Sequence, residues 1–144
     1  MQNFSVIIPV EEVESPDFLS DAISSIINQS RVPDEIIVVV DGSIGAELNN
    51  VIENLTDNNV IVIRLKQSMG PGAARHAGIL KSKNNIIALM DSDDISRNDR
   101  FEKELDILIK ENVDVVGGWI EEFNSTPGDL NQLRTTPKIH EKIA

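Results

Sequence analysis

Five apolar stretches of strand length recur along the chain, and none of them alternates: FSVIIPV (4–10), EIIVVVD (35–41), NVIVIRL (59–65), NIIALMD (85–91) and VDVVGGWI (113–120). Strands with one wet face alternate apolar and polar residues. Continuous Val/Ile runs instead fit strands covered on both faces, as in a parallel sheet. Helical stripes lie between the runs. Phe18, Leu19, Ala22, Ile23, Ile26 and Ile27 form one, Leu48, Val51, Ile52 and Leu55 a second, and Phe101, Leu105, Leu108 and Ile109 a third. A weaker pattern, GAARHAGILKSK (72–83), has Pro71 where a first helical turn accepts it. The order β-α-β-α-β-α-β-α-β predicts an α/β fold: an open, mostly parallel sheet with right-handed crossovers and helices on both faces. Such sheets bind ligands beyond the carboxyl ends of their strands, where the strand order reverses. The segments that matter are therefore the strand exits at 9–12, 41–43, 65–72 and 91–94.

The 144 residues allow one sizeable core. The formal charge of −11, with no Lys/Arg cluster, argues against a nucleic-acid partner. It is compatible with a nucleotide held through a metal ion, which supplies the missing positive charge. There is no cysteine, so disulfides, thiolate catalysis and thiolate zinc sites are excluded. The first residues carry no basic segment ahead of their short apolar run, unlike a signal peptide, and no apolar run approaches the ~20 residues of a membrane span. The expected location is cytoplasmic, with peripheral association at the inner face of the cell membrane left open.

The exit of the fourth run concentrates charge: Asp91, Asp93, Asp94 and Asp99 fall within IIALMDSDDISRNDR (86–100). Residues i and i+2 of an extended segment point the same way, so Asp91 and Asp93 can face one ligand together. Paired carboxylates suit Mg²⁺ or Mn²⁺ whose remaining shell is diphosphate and water. The competing reading is helix capping, because Asp93, Asp94, Ser96 and Asp99 all precede a helix expected over 98–110. VVVDGS (38–43) ends in Asp41, where nucleotide-binding α/β folds read a ribose or base, although Asp41 and Ser43 would equally serve a turn and a cap. No G-x-G-x-x-G follows the first run, which disfavours a dinucleotide site. In KQSMGPGAARHAGI (66–79), glycines ahead of a helix can bring N–H groups to a phosphate, and Arg75 is a candidate cation for a diphosphate or simply a solvated helix residue. The EEVE run (11–14) reads as a solvated loop or as acids of a Mg²⁺-binding receiver domain.

Taken together, SVIIPV (5–10), LSDAISSIINQS (19–30), DEIIVVVDGS (34–43), GPGAARHAGI (70–79) and IIALMDSDD (86–94) resemble the family 2 glycosyltransferases. The resemblance implies a GT-A type, Rossmann-like fold that binds a nucleotide diphosphate sugar, often UDP-linked, with Mn²⁺ or Mg²⁺. By that resemblance the substrate-binding residues are Pro9, Val10 and Glu11 beside the nucleobase, Asp41 on the uracil or ribose, Arg75 near the diphosphate, and Asp91 and Ser92 on the ribose side. Asp93 is the expected metal ligand, with Asp91 beside it. Three positions depart from the family pattern: Glu11-Glu12 replace a usual Tyr-Asn, Val40 replaces the first acid of a usual Asp-Asp-Gly-Ser, and His76 stands where Asn is usual.

The resemblance further implies a donor-binding domain over 1–120, followed at 121–144 by the start of an acceptor-side region that looks cut short. A glycan or lipid-linked acceptor and an inverting outcome are implied with it. The catalytic base is then expected beyond residue 144, with Glu121 and Glu122 as fallbacks and Asp129 and Glu141 as the other late acids. A faint helical start is expected in the last residues. Three rivals compete with this reading. A receiver-type signalling domain needs an Asp after the third strand and a Lys after the fifth, where Lys66-Gln67 and Glu121-Glu122 stand. A nucleotidyltransferase typically opens with a Gly-rich loop and a Lys after the first strand, and neither is present. A non-catalytic nucleotide-binding module differs only in lacking turnover.

Overall fold

Every residue of β1 (Phe4–Val10) and β2 (Glu35–Val40) is buried, as continuous apolar runs demand. In the computed structural model, which describes residues 2–55 and 59–136, these are the two inner strands of a four-stranded parallel sheet. β3 (Val60–Arg64) and β4 (Ile86–Leu89) form its edges, in the order β3-β2-β1-β4. The register pairs Ile7 with Ile37 and with Leu89, and Val38 with Val62. The chain divides into two compact units, residues 1–101 and 102–144, and the sheet belongs to the first.

The helices follow local rules. α1 (Pro16–Ile27) starts at Ser15, whose hydroxyl accepts the Phe18 N–H, with Pro16 in its first turn. It buries Leu19, Ala22, Ile23 and Ile26 and packs beside α2 (Ala46–Glu53). Phe18, assigned to the same stripe from spacing, is instead 56 % exposed. α3 (Pro71–Lys81) turns small residues to the sheet. Ile7, Ile37 and Val39 form a cluster with Ala74, and a Cβ on Gly78 would stand 2.6 Å from Ile7 Cγ2. Successive strand residues face opposite ways, so Phe4 lies on the other side of β1. There it meets Phe101, in the first turn of α4 (Arg100–Lys110), edge-on at 5.1 Å between ring centroids.

A polar knot fastens the amino-terminal end of the sheet. Glu35 Oε1 accepts from the Ser5 hydroxyl at 2.6 Å, the Lys83 N–H at 2.7 Å and the Ser82 hydroxyl at 3.2 Å. Burial pushes the Glu35 carboxyl up, but the bonds from Ser5, Lys83 and Ser82 outweigh it and hold the group below its ordinary range.

One expected strand is not there. Residues 113–119 form no strand. Only Ile120–Glu122 (β5) does, and it pairs antiparallel with β6 (Gln132–Arg134) in a separate two-stranded sheet. A run becomes a strand only when a neighbour takes its backbone groups, and here Gly117-Gly118 weaken the run while Val115 is 85 % exposed. The helical start expected at the end of the chain lies outside the described residues.

Candidate functional site

The chain winds outward through β1, β2 and β3, then returns through α3 to lay β4 on the far side of β1. Strand order therefore reverses between β1 and β4, and their carboxyl ends open a crevice. A cleft of about 140 Å³ lies there, lined by Pro9, Glu11, Glu14, Pro71, Arg75, Asp91, Ser92 and Asp93. Six expected residues are thus brought together: Pro9, Glu11, Arg75, Asp91, Ser92 and Asp93. Val10 and Asp41 do not line the cleft. Val10 is fully buried, and its carbonyl accepts the Asp41 N–H at 2.9 Å.

β4 leaves its ladder early, opposite Ile7, while β1 continues three residues further. Met90 still donates its N–H to Ile7 O at 3.0 Å. Asp91 to Asp93 then turn away and present polar side chains to the exit of β1. Arg75, one turn into α3, donates to Asp91 Oδ1 at 2.5 Å. The first turn of α3 has no side-chain cap, so its N–H groups add positive potential beside Pro71 and Arg75.

Glu14 is the residue that spacing did not single out. It sits just before the α1 cap, and its N–H closes a turn onto the Glu11 carbonyl at 3.2 Å. Partial burial pushes its carboxyl up; a hydrogen bond with the Ser92 side chain opposes this, while the carboxylates of Asp93, Glu11 and Asp91 add to the rise. The EEVE run contains Glu14, but only the β1–β4 adjacency carries it to Ser92. The cleft therefore has four carboxylates against one guanidinium, a field that disfavours a bare anion and favours one accompanied by a cation.

Asp41 works one layer back. It is 2 % exposed. Its Oδ1 accepts the Met69 N–H at 2.8 Å, and its Oδ2 accepts the Gly70 N–H at 2.8 Å and the Ser68 hydroxyl at 3.1 Å. Gly42 lets the two loops meet. Its φ is +89°, and a Cβ there would stand 2.7 Å from Ser68 N. The exit of β2 thereby fixes the loop that opens α3.

The donor set at the cleft fits the implied divalent cation in chemistry. Asp91 and Asp93 offer hard oxygens, the number that Mg²⁺ or Mn²⁺ takes when substrate phosphates and water complete the shell. Among the described residues no three His, Cys, Asp or Glu side chains converge into a ready-made cage. The capping alternative is narrowed, since α4 begins at Arg100 and Asp94 stands well upstream of it. Only Asp99 adjoins the helix.

Glu121, Glu122 and Asp129 belong to the second unit. Asp129 accepts the N–H groups of Asn124, Ser125 and Thr126 and is held below its ordinary range by those bonds, Ser125 first. Glu122 pairs with Arg134. Glu141 lies outside the described residues. No helix among the described residues is long and apolar enough to cross a membrane.

Comparison with known proteins bears on the family and the fold. The chain is 38 % identical over 136 residues to a UDP-Gal:alpha-D-GlcNAc-diphosphoundecaprenol beta-1,3-galactosyltransferase of Escherichia coli, an alignment that covers 93 % of this chain and 50 % of that protein. It is 32 % identical over 106 residues to the amylovoran biosynthesis glycosyltransferase AmsE of Erwinia amylovora, covering 73 % of this chain and 40 % of that one. The chain thus spans about half the length, or less, of these curated relatives. Its fold is similar to S. aureus TarS 1-349 in complex with UDP-GlcNAc, with a TM-score of 0.66 at 23 % identity over 77 % of this chain and 32 % of that one. This likeness to a GT-A type structure extends to the fold. The family profile described as "Glycosyl transferase family 2" matches residues 5–143, and the chain, with its strand-order reversal and acidic β4 exit, belongs to that family.

Proposed function

We propose that the cleft between β1 and β4 binds a nucleotide diphosphate sugar, UDP-linked, together with Mn²⁺ or Mg²⁺, for transfer of the sugar to a glycan or lipid-linked acceptor with inversion. The observation that carries the reading is the convergence of Pro9, Glu11, Arg75, Asp91, Ser92 and Asp93 where the strand order reverses. The name of the E. coli relative, with a UDP-sugar donor and a diphosphoundecaprenol-linked acceptor, supports both halves of the assignment.

In this reading Asp93, with Asp91 beside it, holds the metal. A divalent cation supplies Lewis acidity to the departing diphosphate. Arg75 and the uncapped first turn of α3 hold the phosphate oxygens. Pro9, Glu11 and the backbone at Val10 flank the base, Ser92 and Asp91 face the ribose, and Asp41 acts on the nucleoside side through the 68–70 loop it holds. Residues 1–120 form the donor-binding part and 121–144 open the acceptor side. A carboxylate must still take the acceptor hydroxyl's proton, and Glu121 and Glu122 are the fallback candidates in this chain. A lipid-linked acceptor implies work at the cytoplasmic face of a membrane, by peripheral association.

Calorimetry of UDP binding with Mn²⁺ and with EDTA tests the assignment. Affinity that needs the metal and falls in Asp93→Asn supports it; equal affinity under both conditions sinks it.

A further inference from the structure

We infer that Arg75 is a counter-ion latch on Asp91, handed from that carboxylate to the diphosphate when metal and nucleotide bind together. The inference rests on the donor-site reading and adds to it a coupling between the two ligands.

Arg75 is the one cation among the residues lining the cleft, and it is already engaged. Its Nη2 donates to Asp91 Oδ1 at 2.5 Å, with the two side chains 32 % and 53 % exposed. A metal ion that approaches Asp91 alone meets a guanidinium on one of the oxygens it needs. Displacing Arg75 into water leaves the guanidinium without its anion. An ion pair this exposed is weak, so the latch opens readily, but its cost falls on the metal whenever the metal comes alone. A diphosphate changes that balance by offering the guanidinium a two-pronged acceptor as Asp91 is released. The metal then gains a carboxylate, Arg75 gains a phosphate, and neither Asp91 nor Arg75 is left without a counter-charge. Linkage makes the effect reciprocal: the factor by which UDP tightens metal binding is the factor by which metal tightens UDP binding.

The test is a double-mutant cycle read by titration of Mn²⁺ alone, using calorimetry or the paramagnetic resonance of free Mn²⁺, then repeated with UDP present. Arg75→Gln is expected to bind Mn²⁺ alone about two- to fivefold more tightly than the unmodified chain, the size of an exposed pair. That gain should vanish in the Asp91→Asn background, and the tightening of Mn²⁺ by UDP should shrink in Arg75→Gln. Arg75→Lys keeps the charge and helix propensity but loses the fork. It should move in the same direction by less, and it carries the test if Arg75→Gln folds poorly. An Arg75→Gln gain that is absent overturns the latch. So does an equal gain in the Asp91→Asn background, which would be plain charge repulsion. Asp93→Asn separates this failure from that of the underlying reading: if it leaves Mn²⁺ affinity unchanged, the metal is not in this cleft and both fall.

Discussion

The Asp41 carboxylate accepts the Gly70 N–H at 2.8 Å across 29 residues of chain. This bond and its neighbours from Met69 and Ser68 join the exit of β2 to the start of α3. Asp41→Ala removes the acceptor for two backbone N–H groups. Bonds to a charged acceptor are worth about 1.5–3 kcal/mol, and a loss in that range is expected in urea denaturation. UDP affinity should fall both with and without metal, because the loop rather than the ion has moved. Amide exchange at Met69 and Gly70 should quicken in the same variant; unchanged exchange there would contradict the bracing role.

Gly42→Ala tests the close approach behind that brace. The residue sits at φ +89°, and an added Cβ would meet Ser68 N at 2.7 Å. Left-handed backbone alone costs an L-residue roughly 1–2 kcal/mol. The backbone contact adds to it, since no flexible side-chain end can move away. The expected outcome is a destabilised chain whose nucleotide affinity also falls. A variant as stable as the parent would mean that the 67–68 backbone yields freely.

The register within the acidic turn is decided by two neighbouring substitutions. Asp93→Asn should abolish the dependence of nucleotide binding on Mn²⁺, while Asp94→Asn leaves it intact, because Asp93 lines the cleft and Asp94 does not. Calorimetry with and without metal reads both. If Asp94→Asn removes the dependence and Asp93→Asn keeps it, the motif is displaced by one residue.

Stability should fall with acid through Glu35. Its folded carboxyl lies below the ordinary value of 4.5. The folded state therefore binds this proton less readily than the unfolded chain does, and the resulting stability is present above that value and lost as pH falls through the folded one. Glu14 has the opposite sign, since its raised carboxyl takes up a proton more readily in the folded state. Comparison with Glu35→Gln isolates the first effect. The stability gap between parent and variant in urea titrations should be widest near neutrality and narrow below about pH 4.5. A gap independent of pH would remove Glu35 from the account.

β1 and β2 were legible because burial on both faces leaves a plain mark, an unbroken Val/Ile run; the edge strands β3 and β4 carry the same apolar run although Val62 and Leu89 stand exposed. The fifth run carried the same mark without the outcome. VDVVGGWI has the composition of a strand, but pairing depends on a neighbour that composition does not reveal, and Gly117-Gly118 give the run little reason to hold an extended form. Asp91, Ser92 and Asp93 were legible from their place after a strand. Glu14 was not, because its partner Ser92 is distant in sequence and meets it only through the topology. Asp41 was legible as important, yet its residue type could not show whether it faces a ligand or, as found, the N–H groups of its own chain.

The position of β4 beside β1 also has a consequence for synthesis. β1 gains its first neighbour when β2 emerges, but its second edge waits for residues 86–89. At about 5–20 residues per second, roughly 4–16 seconds separate the emergence of β1 from that of β4. Throughout that interval Phe4, Val6 and Ile8 stand on a nascent strand with at least one unpaired edge, open to a chaperone or to another nascent copy. The aggregation hazard of this chain is thus concentrated before residue 89, and a slow codon stretch ahead of β4 should lower soluble yield more than the same stretch placed after it.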